Sequence, residues 1–437
     1  MAQSGSETTR PYSRTITGLS GGGGRRSLSS VSTTSLSLSH GTHGINPQDL
    51  TKPAVIIELG AVLTKIGLAG ELSPRMIIRT EYIDEQLIVQ KNLLDGIVDT
   101  DKKSFKRLFH FFKHIYFTHL LSVPRERRVV IVESLLCPTH IRRAIATILL
   151  EMLDAPSVLF APSHLMATIP FNTPTALVLD VGWDEAVAMP VVEGIVMLSQ
   201  FQAFNKGAKA ITHRAIELLE KHGKVIDVDG TERPLTSADW GIIEHTRLVE
   251  DIITRGLYVA PMDRAGANAR GEIVKPVTEG YELPLGHTSL VIPGIVRETA
   301  CEVLFESPSE DDLGLHEMIH AIVARCPIDL RRQLFSRILV TGGIAVIPGL
   351  LQRLKSEIAH LASVRRLKTA DEIGFYRFNK EDQMEPWTAW LGGAMYGSLT
   401  ENLEFRSLSR EEWSSTHHLS DACDWVDPFV TVGKTRA

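Results

Sequence analysis

The chain has 437 residues, 43% hydrophobic and 22% charged, with 46 Lys and Arg against 52 Asp and Glu for a formal charge of −6. That length suits about two or three globular domains, and the mild acidity gives no reason to expect nucleic acid or an anionic membrane as the main partner. No apolar run approaches the ~20 residues needed to cross a bilayer, no secretory leader is expected, and the spacing of Cys137, Cys301, Cys326 and Cys423 argues against a disulfide framework or a zinc site, which fits a reducing cytosol.

Residues 1–50 are rich in Ser, Thr and Gly, as in "TGLSGGGGRRSLSSVSTTSLSLSHG", and have neither helical nor strand periodicity. Such a segment buries too little apolar surface to offset its ordering entropy, so the expectation is a disordered tail. Order is expected from Pro53. "AVIIELG" (54–60), "VLTKIGLAG" (62–70) and "RMIIR" (75–79) read as three short strands in succession. "SFKRLFHFFKHIYFTHLL" (104–121) has apolar residues at helical spacing. "RVVIVES" (128–134) reads as a buried strand, Pro138 as the first turn of a helix reaching Leu153, and "SVLFAP" (157–162) as a further strand leading into a helix at Ser163.

At 175 the pattern restarts. "TALVLDVG" (175–182) repeats the design of 54–60: an apolar strand, an acidic residue, any residue, then Gly. "AVAMPVVEG" (186–194) and "IVMLSQF" (195–201) follow as strands, with helices expected at 208–222 and 240–254. "RILVTGG" (337–343) reads as a late strand, and "LLQRLKSEIAHL" (350–361) as a helix. The acidic stretch "ESPSEDDLG" (306–314) reads as a solvated loop, and "VGKT" (432–435) lacks both the first glycine and the following helix of a phosphate loop. The doubled order of strands, helix, strand and helix predicts two α/β domains facing each other across a cleft.

Ligands of such sheets bind beyond the carboxyl ends of the strands. Gly60 and Gly182 allow tight turns whose N–H groups can gather around an anion, Glu58 and Asp180 would flank a hydrated divalent ion, and Lys65 could reach a phosphate. Gly342 and Gly343 would let backbone approach a base or sugar. Any one of these is ordinary for a strand turn. The three in this order are more specific.

"ELGAVLTKIGLAGELSPR" resembles the first phosphate loop of the actin family, and "LVLDVGWDEAVAMPVVEG" the second. "GYELPLGHTSLVIP", "CPIDLRRQLFSRILVTGGIAVIPGLLQRL" and "AWLGGAMYGSL" resemble later segments, so the match runs in order over roughly 53–413. "RRVVIVESLLCPTHIRRA" with "PSVLFAPSHLMATI" is similar in particular to family members at the pointed end of dynactin. The resemblance implies an α/β chain of the actin/Hsp70/hexokinase type: duplicated RNase H-like domains in two lobes around a nucleotide cleft. The first lobe would span 51–172, completed by about 387–437, with a reduced subdomain at 80–123. The second would span 173–386. It implies ATP or ADP with magnesium at Glu58, Gly60, Lys65, Asp180, Gly182, Gly342 and Gly343, with Asp180 and Glu58 reaching the metal through water. The partners it implies are actin-related filament subunits and other dynactin pointed-end proteins, and through them dynein and cargo adaptors.

The family pattern is broken at several points. Where it has Asp, Ser and Gly in the first loop, this chain has Glu58, Ala61 and Val62. The second acid of the second loop falls on Trp183 and the next glycine on Asp184, while the water-positioning Gln falls on Pro162. The ribose-contacting Lys-Glu pair falls on Ile253 and Thr254, and the Thr after the glycine pair on Ile344. Water positioning and a metal-side acid act on the transition state rather than on the fold, so the resemblance with these losses implies a chain that does not hydrolyse ATP. A trapped nucleotide and an empty cleft with Trp183 as core filling both remain compatible with the sequence.

Overall fold

The computed structural model describes residues 52–84, 89–94, 102–270, 272, 278–309, 312–365, 372–379 and 383–419. The tail expected at 1–50, Cys423, the aromatic residues Trp425 and Phe429, and the 432–435 stretch lie outside the described residues.

The apolar runs of the first half form β1 (Val55–Leu59), β2 (Leu63–Leu68), β3 (Met76–Arg79), β4 (Glu81–Asp84), β5 (Val89–Asn92), β6 (Val129–Glu133) and β7 (Ser157–Pro162). β1 pairs antiparallel with β2 and β2 with β3, while β1, β6 and β7 run parallel. β6 and β7 are buried along their whole length, as parallel strands covered on both faces should be. β4 and β5 form a separate two-stranded hairpin.

The second half repeats this. β8 (Ala176–Val181), β9 (Ala186–Val192), β10 (Ile195–Val196) and β11 (Gln202–Phe204) are followed by β12 (Lys224–Ile226), β13 (Glu232–Arg233), β14 (Tyr281–Leu285), β15 (Thr288–Ile292), β16 (Ile338–Thr341) and β17 (Phe375–Tyr376). β8 pairs antiparallel with β9 and β9 with β10, while β8, β16 and β17 run parallel. The second sheet therefore has the connectivity of the first, an antiparallel meander joined to a parallel half. β12 to β15 form an antiparallel four-stranded sheet of their own, and β18 (Leu408–Ser409) returns from the carboxyl end of the chain to pair with β7 in the first sheet. The duplication read from the sequence is thus present in the hydrogen bonding.

The helix expected at 104–121 runs as an α-helix over Lys102–His114 and continues as a π-helix over Ile115–Leu120, burying Leu108, Phe111, Phe112, Ile115 and Tyr116. The helix expected at 240–254 is broken. An α-helix over Ser237–Thr246 ends at Arg247, whose φ of 54° is left-handed, and a short one over Leu248–Asp251 follows. The strand expected at 195–201 is only two residues long, because Leu198–Gln200 is a 3₁₀ turn.

The helix Thr388–Gly397 packs on the helix Ser163–Thr168 that leaves β7. A Cβ at Gly392 would lie 1.8 Å from the Met166 carbonyl oxygen, so only glycine permits this approach. Trp390 on the same helix is fully buried and donates its indole N–H to the Ile56 carbonyl at 3.3 Å, tying the helix to β1. Among the described residues no helix is long and apolar enough to cross a membrane.

Candidate functional site

Both acid-x-Gly turns follow the carboxyl end of the first strand of a sheet, and both close in the same way. The Gly60 N–H donates to the Leu63 carbonyl at 3.2 Å, and the Gly182 N–H to the Glu185 carbonyl at 2.9 Å. The glycine N–H groups are therefore used in closing the turns, which leaves those of the tip residues as the ones that could gather around an anion. The tip residues of the two turns are Ala61 with Val62, and Trp183 with Asp184. Their backbone N–H groups meet no acceptor among the described residues.

The turns lie close enough for their acids to interact. Burial pushes the Glu58 carboxyl above the usual carboxylate range and the charge of Asp180 adds to this, against the opposing pull of Lys65. Lys65 lies opposite Glu58 across the β1–β2 ladder, and its ammonium donates to Glu58 Oε1. The lysine predicted to reach a phosphate is thus engaged by the neighbouring carboxylate. Glu58 Oε2 is buried with no hydrogen-bond partner among the described residues. Glu185 is also raised, by burial and by the charges of Asp184 and Asp180, while Asp184 itself pairs with Lys209 at 3.0 Å. Acid charge at this spot exceeds what the neighbouring bases balance.

Gly342 ends β16 with a φ of 95°, and a Cβ there would sit 2.8 Å from Asp180 Oδ1 and 2.3 Å from the Val181 carbonyl oxygen. The glycine pair thus begins against Asp180, whereas Gly343 faces open space. Glu58, Lys65, Asp180 and Gly342 are therefore brought together. Pro162 is the buried last residue of β7, and the polar groups at that corner belong to its successors. His164 is 1% exposed, with Nδ1 at 3.3 Å from Ser163 Oγ and Nε2 at 3.2 Å from the Val187 carbonyl oxygen. Burial lowers its pKa despite the nearby Asp180, which keeps the ring neutral. Sequence reading passed over His164 because a lone histidine in an apolar helix carries no motif. Trp183 is half-buried, and among the described residues it lies neither in the buried apolar clusters of the protein nor among the partly buried side chains packed on them, so its indole is not core filling. Ile253 and Ile344, at the altered ribose and base positions, are core residues.

A second group of charges joins the two halves, and nothing in the sequence marked it. Arg79, at the end of β3, donates to both carboxylate oxygens of Glu250, one of them at 3.2 Å, and to Glu81 at 3.3 Å. Arg247 donates to both oxygens of Glu81, at 3.0 and 2.8 Å. The break at Arg247 thus falls at a residue that pairs with the first half of the chain. Burial alone would push Glu81 up, but Arg247 and then Arg79 hold its carboxyl below the usual range.

The donor set fits a nucleotide-bound magnesium ion in two respects. A buried carboxylate oxygen without a partner among the described residues lies within electrostatic reach of a second acid, and magnesium uses one or two carboxylates with its remaining ligands from water and phosphate. The free N–H groups at the turn tips suit phosphate oxygens. Among the described residues no three His, Cys, Asp or Glu side chains gather to hold a metal on their own.

The actin family model matches residues 84–418. Among similar proteins, "Actin-related protein 10" of Dictyostelium discoideum is 24% identical over 81% of this chain and 84% of its own length. "Putative actin-29" of the same organism is 22% identical, over 82% and 94%. "SWI/SNF and RSC complexes subunit arp42" of Schizosaccharomyces pombe is 24% identical, over 83% and 95%. A duplicated sheet with its two acid turns meeting at Glu58 and Asp180, together with a family match over most of its length, places this chain in the actin family.

Proposed function

We propose that this chain is a non-hydrolysing actin-related subunit: it caps the pointed end of the actin-related filament in dynactin, links it to the other pointed-end proteins, and so supports dynein-driven transport in the cytoplasm. The observation that carries the loss of hydrolysis is Trp183, an indole outside the core at the tip of the second turn. An indole N–H only donates, so this position offers no acceptor to a metal-bound or attacking water. His164 does not replace the lost function, because both ring nitrogens lie against protein oxygens and the ring is closed to solvent. The pointed-end reading is supported by the sequence resemblance and by the relative named actin-related protein 10.

A bound nucleotide would be held by the tip N–H groups of both turns, with Glu58 Oε2 and Asp180 taking the hydrated magnesium. That ion would neutralise the excess acid. The chain's own contribution would be binding and lobe closure, since Lys65 already serves Glu58. A capping role suits a subunit that makes a heterologous contact on one face and cannot repeat it on the other.

A second reading is a nuclear actin-related subunit of a chromatin-remodelling complex, favoured by the equal identity to the relative named arp42. Affinity purification of the full chain from cells separates the two by whether dynactin or remodelling subunits accompany it. A phosphate-release assay tests the catalytic claim. Steady Mg²⁺-dependent release that Asp180→Asn abolishes would make the protein an ATPase switch instead.

A further inference from the structure

Between Lys102 and Arg125 the chain carries six Lys or Arg and three His but no Asp or Glu, in a protein whose overall charge is −6. The structure arranges four of these residues along one face. Lys102, Lys106, His110 and Lys113 are spaced by four, four and three residues, and Phe117 follows four further on, so they form one stripe along the α- and π-helices. All five are exposed, while the opposite face buries Leu108, Phe111 and Phe112 in the body of the protein. Lys102, Lys106, Lys113 and Arg125 form no ion pair among the described residues.

The stripe ends in an apolar knuckle. Phe117 is 53% exposed, Leu121 82% and Val123 40%. Leu121 has a φ of 48°, its N–H donating to the Tyr116 carbonyl to close the helix. Glycine or asparagine serves this left-handed cap with less strain, and either exposes less apolar surface. A leucine here is unfavourable for backbone and solvent alike unless a partner covers it.

We propose that this face docks an acidic segment of a partner protein that carries an apolar anchor at one end. Charge complementarity selects the partner: an unpaired basic row about 22 Å long, from Lys102 to Phe117 at 1.5 Å per residue, matches a row of Asp or Glu on a helix of similar length. Phe117, Leu121 and Val123 supply a pocket edge for one aliphatic or aromatic side chain. A lipid surface fits less well, because membrane-lying helices need an apolar stripe along their length, and here that stripe is used inside the protein. The inference is independent of the nucleotide cleft and of which complex holds the subunit.

The test uses the full chain and three fluorescein-labelled helical 15-residue peptides with one terminal Leu, rich in Glu, Gln or Lys. The Glu peptide should bind, with affinity falling as salt rises, and the Gln and Lys peptides should not. Lys106→Glu with Lys113→Glu should weaken binding about tenfold or more, since each tenfold is 1.4 kcal/mol, with the thermal midpoint unchanged. Leu121→Gly should weaken binding while the midpoint holds or rises, an opposition that a purely structural leucine would not show. Equal binding of Glu and Gln peptides, or binding untouched by the charge reversals, would overturn the proposal. So would adsorption to phosphatidylserine vesicles in the absence of any Glu-peptide binding.

Discussion

Arg247 and Glu81 should act as a latch between the two halves, and a double-mutant cycle measures this directly. Two unit charges about 4 Å apart at an effective dielectric near 20 attract by about 4 kcal/mol. The side chains are 28% and 20% exposed, so solvent screening and the entropy of fixing both reduce this to about 1–2 kcal/mol, the lower range for close, paired charges across an interface. Glu81→Gln, Arg247→Gln and the double variant, unfolded in urea, should give a coupling energy of that size, shrinking as salt is raised. Each single variant should also increase the radius of gyration in small-angle X-ray scattering, because Arg79–Glu250 would then be the remaining ion pair of this group between the halves. The pH dependence has a definite sign. Glu81 is held below its unfolded value, so its stabilisation is present above the unfolded carboxylate pKa and is lost as pH falls through the lowered folded pKa. A coupling energy below about 0.3 kcal/mol together with unchanged scattering would show that these ion pairs do not hold the halves.

Three further outcomes follow from the same structure. Burial pushes the Glu133 carboxyl up to about 7 despite Arg142, so the folded state binds more protons than the unfolded one between that value and the ordinary carboxylate pKa. Stability should therefore fall as pH rises through this window, by at most about 3 kcal/mol, and Glu133→Gln should flatten the slope in urea titrations; a slope unchanged by the substitution would show that Glu133 titrates normally. Gly392→Ala should destabilise by more than about 3 kcal/mol, since its Cβ would meet backbone that cannot rotate away, and a thermal shift under about 2 °C would contradict the packing. Asp239 accepts from the Thr236 N–H in a capping box and separately from Arg233, so Asp239→Ala should cost about 1–2 kcal/mol, read from the urea midpoint.

Much of the architecture was legible because burial leaves a direct trace in composition. β6 and β7 are nearly continuous apolar runs, and the acid-x-Gly endings of β1 and β8 mark the two turns in the sequence itself. The expected helix at 240–254 was less legible, because Arg247 adopts a left-handed conformation that no glycine announces. It pairs with Glu81, 166 residues earlier, and propensity has no access to such a contact. Lys65 illustrates the same limit. Its place on β2 was readable, but its engagement by Glu58 depends on cross-strand register, which a single-residue shift would have changed.

The sequence by itself determined the doubled order of strands and helices, the two turns, and the replacement of family residues by Trp183, Ala61 and Val62. These are local facts, fixed by apolar periodicity and by residue identity at a turn. Only the tertiary structure decided that Glu58 and Asp180 share one charged environment, that His164 lies beside them closed to solvent, that four charges bridge the halves, and that one face of the helix Lys102–His114 is left basic and bare. Those facts depend on distances between residues far apart in the chain, where electrostatic energy varies inversely with separation and with the local dielectric, and neither quantity is written in the order of the residues.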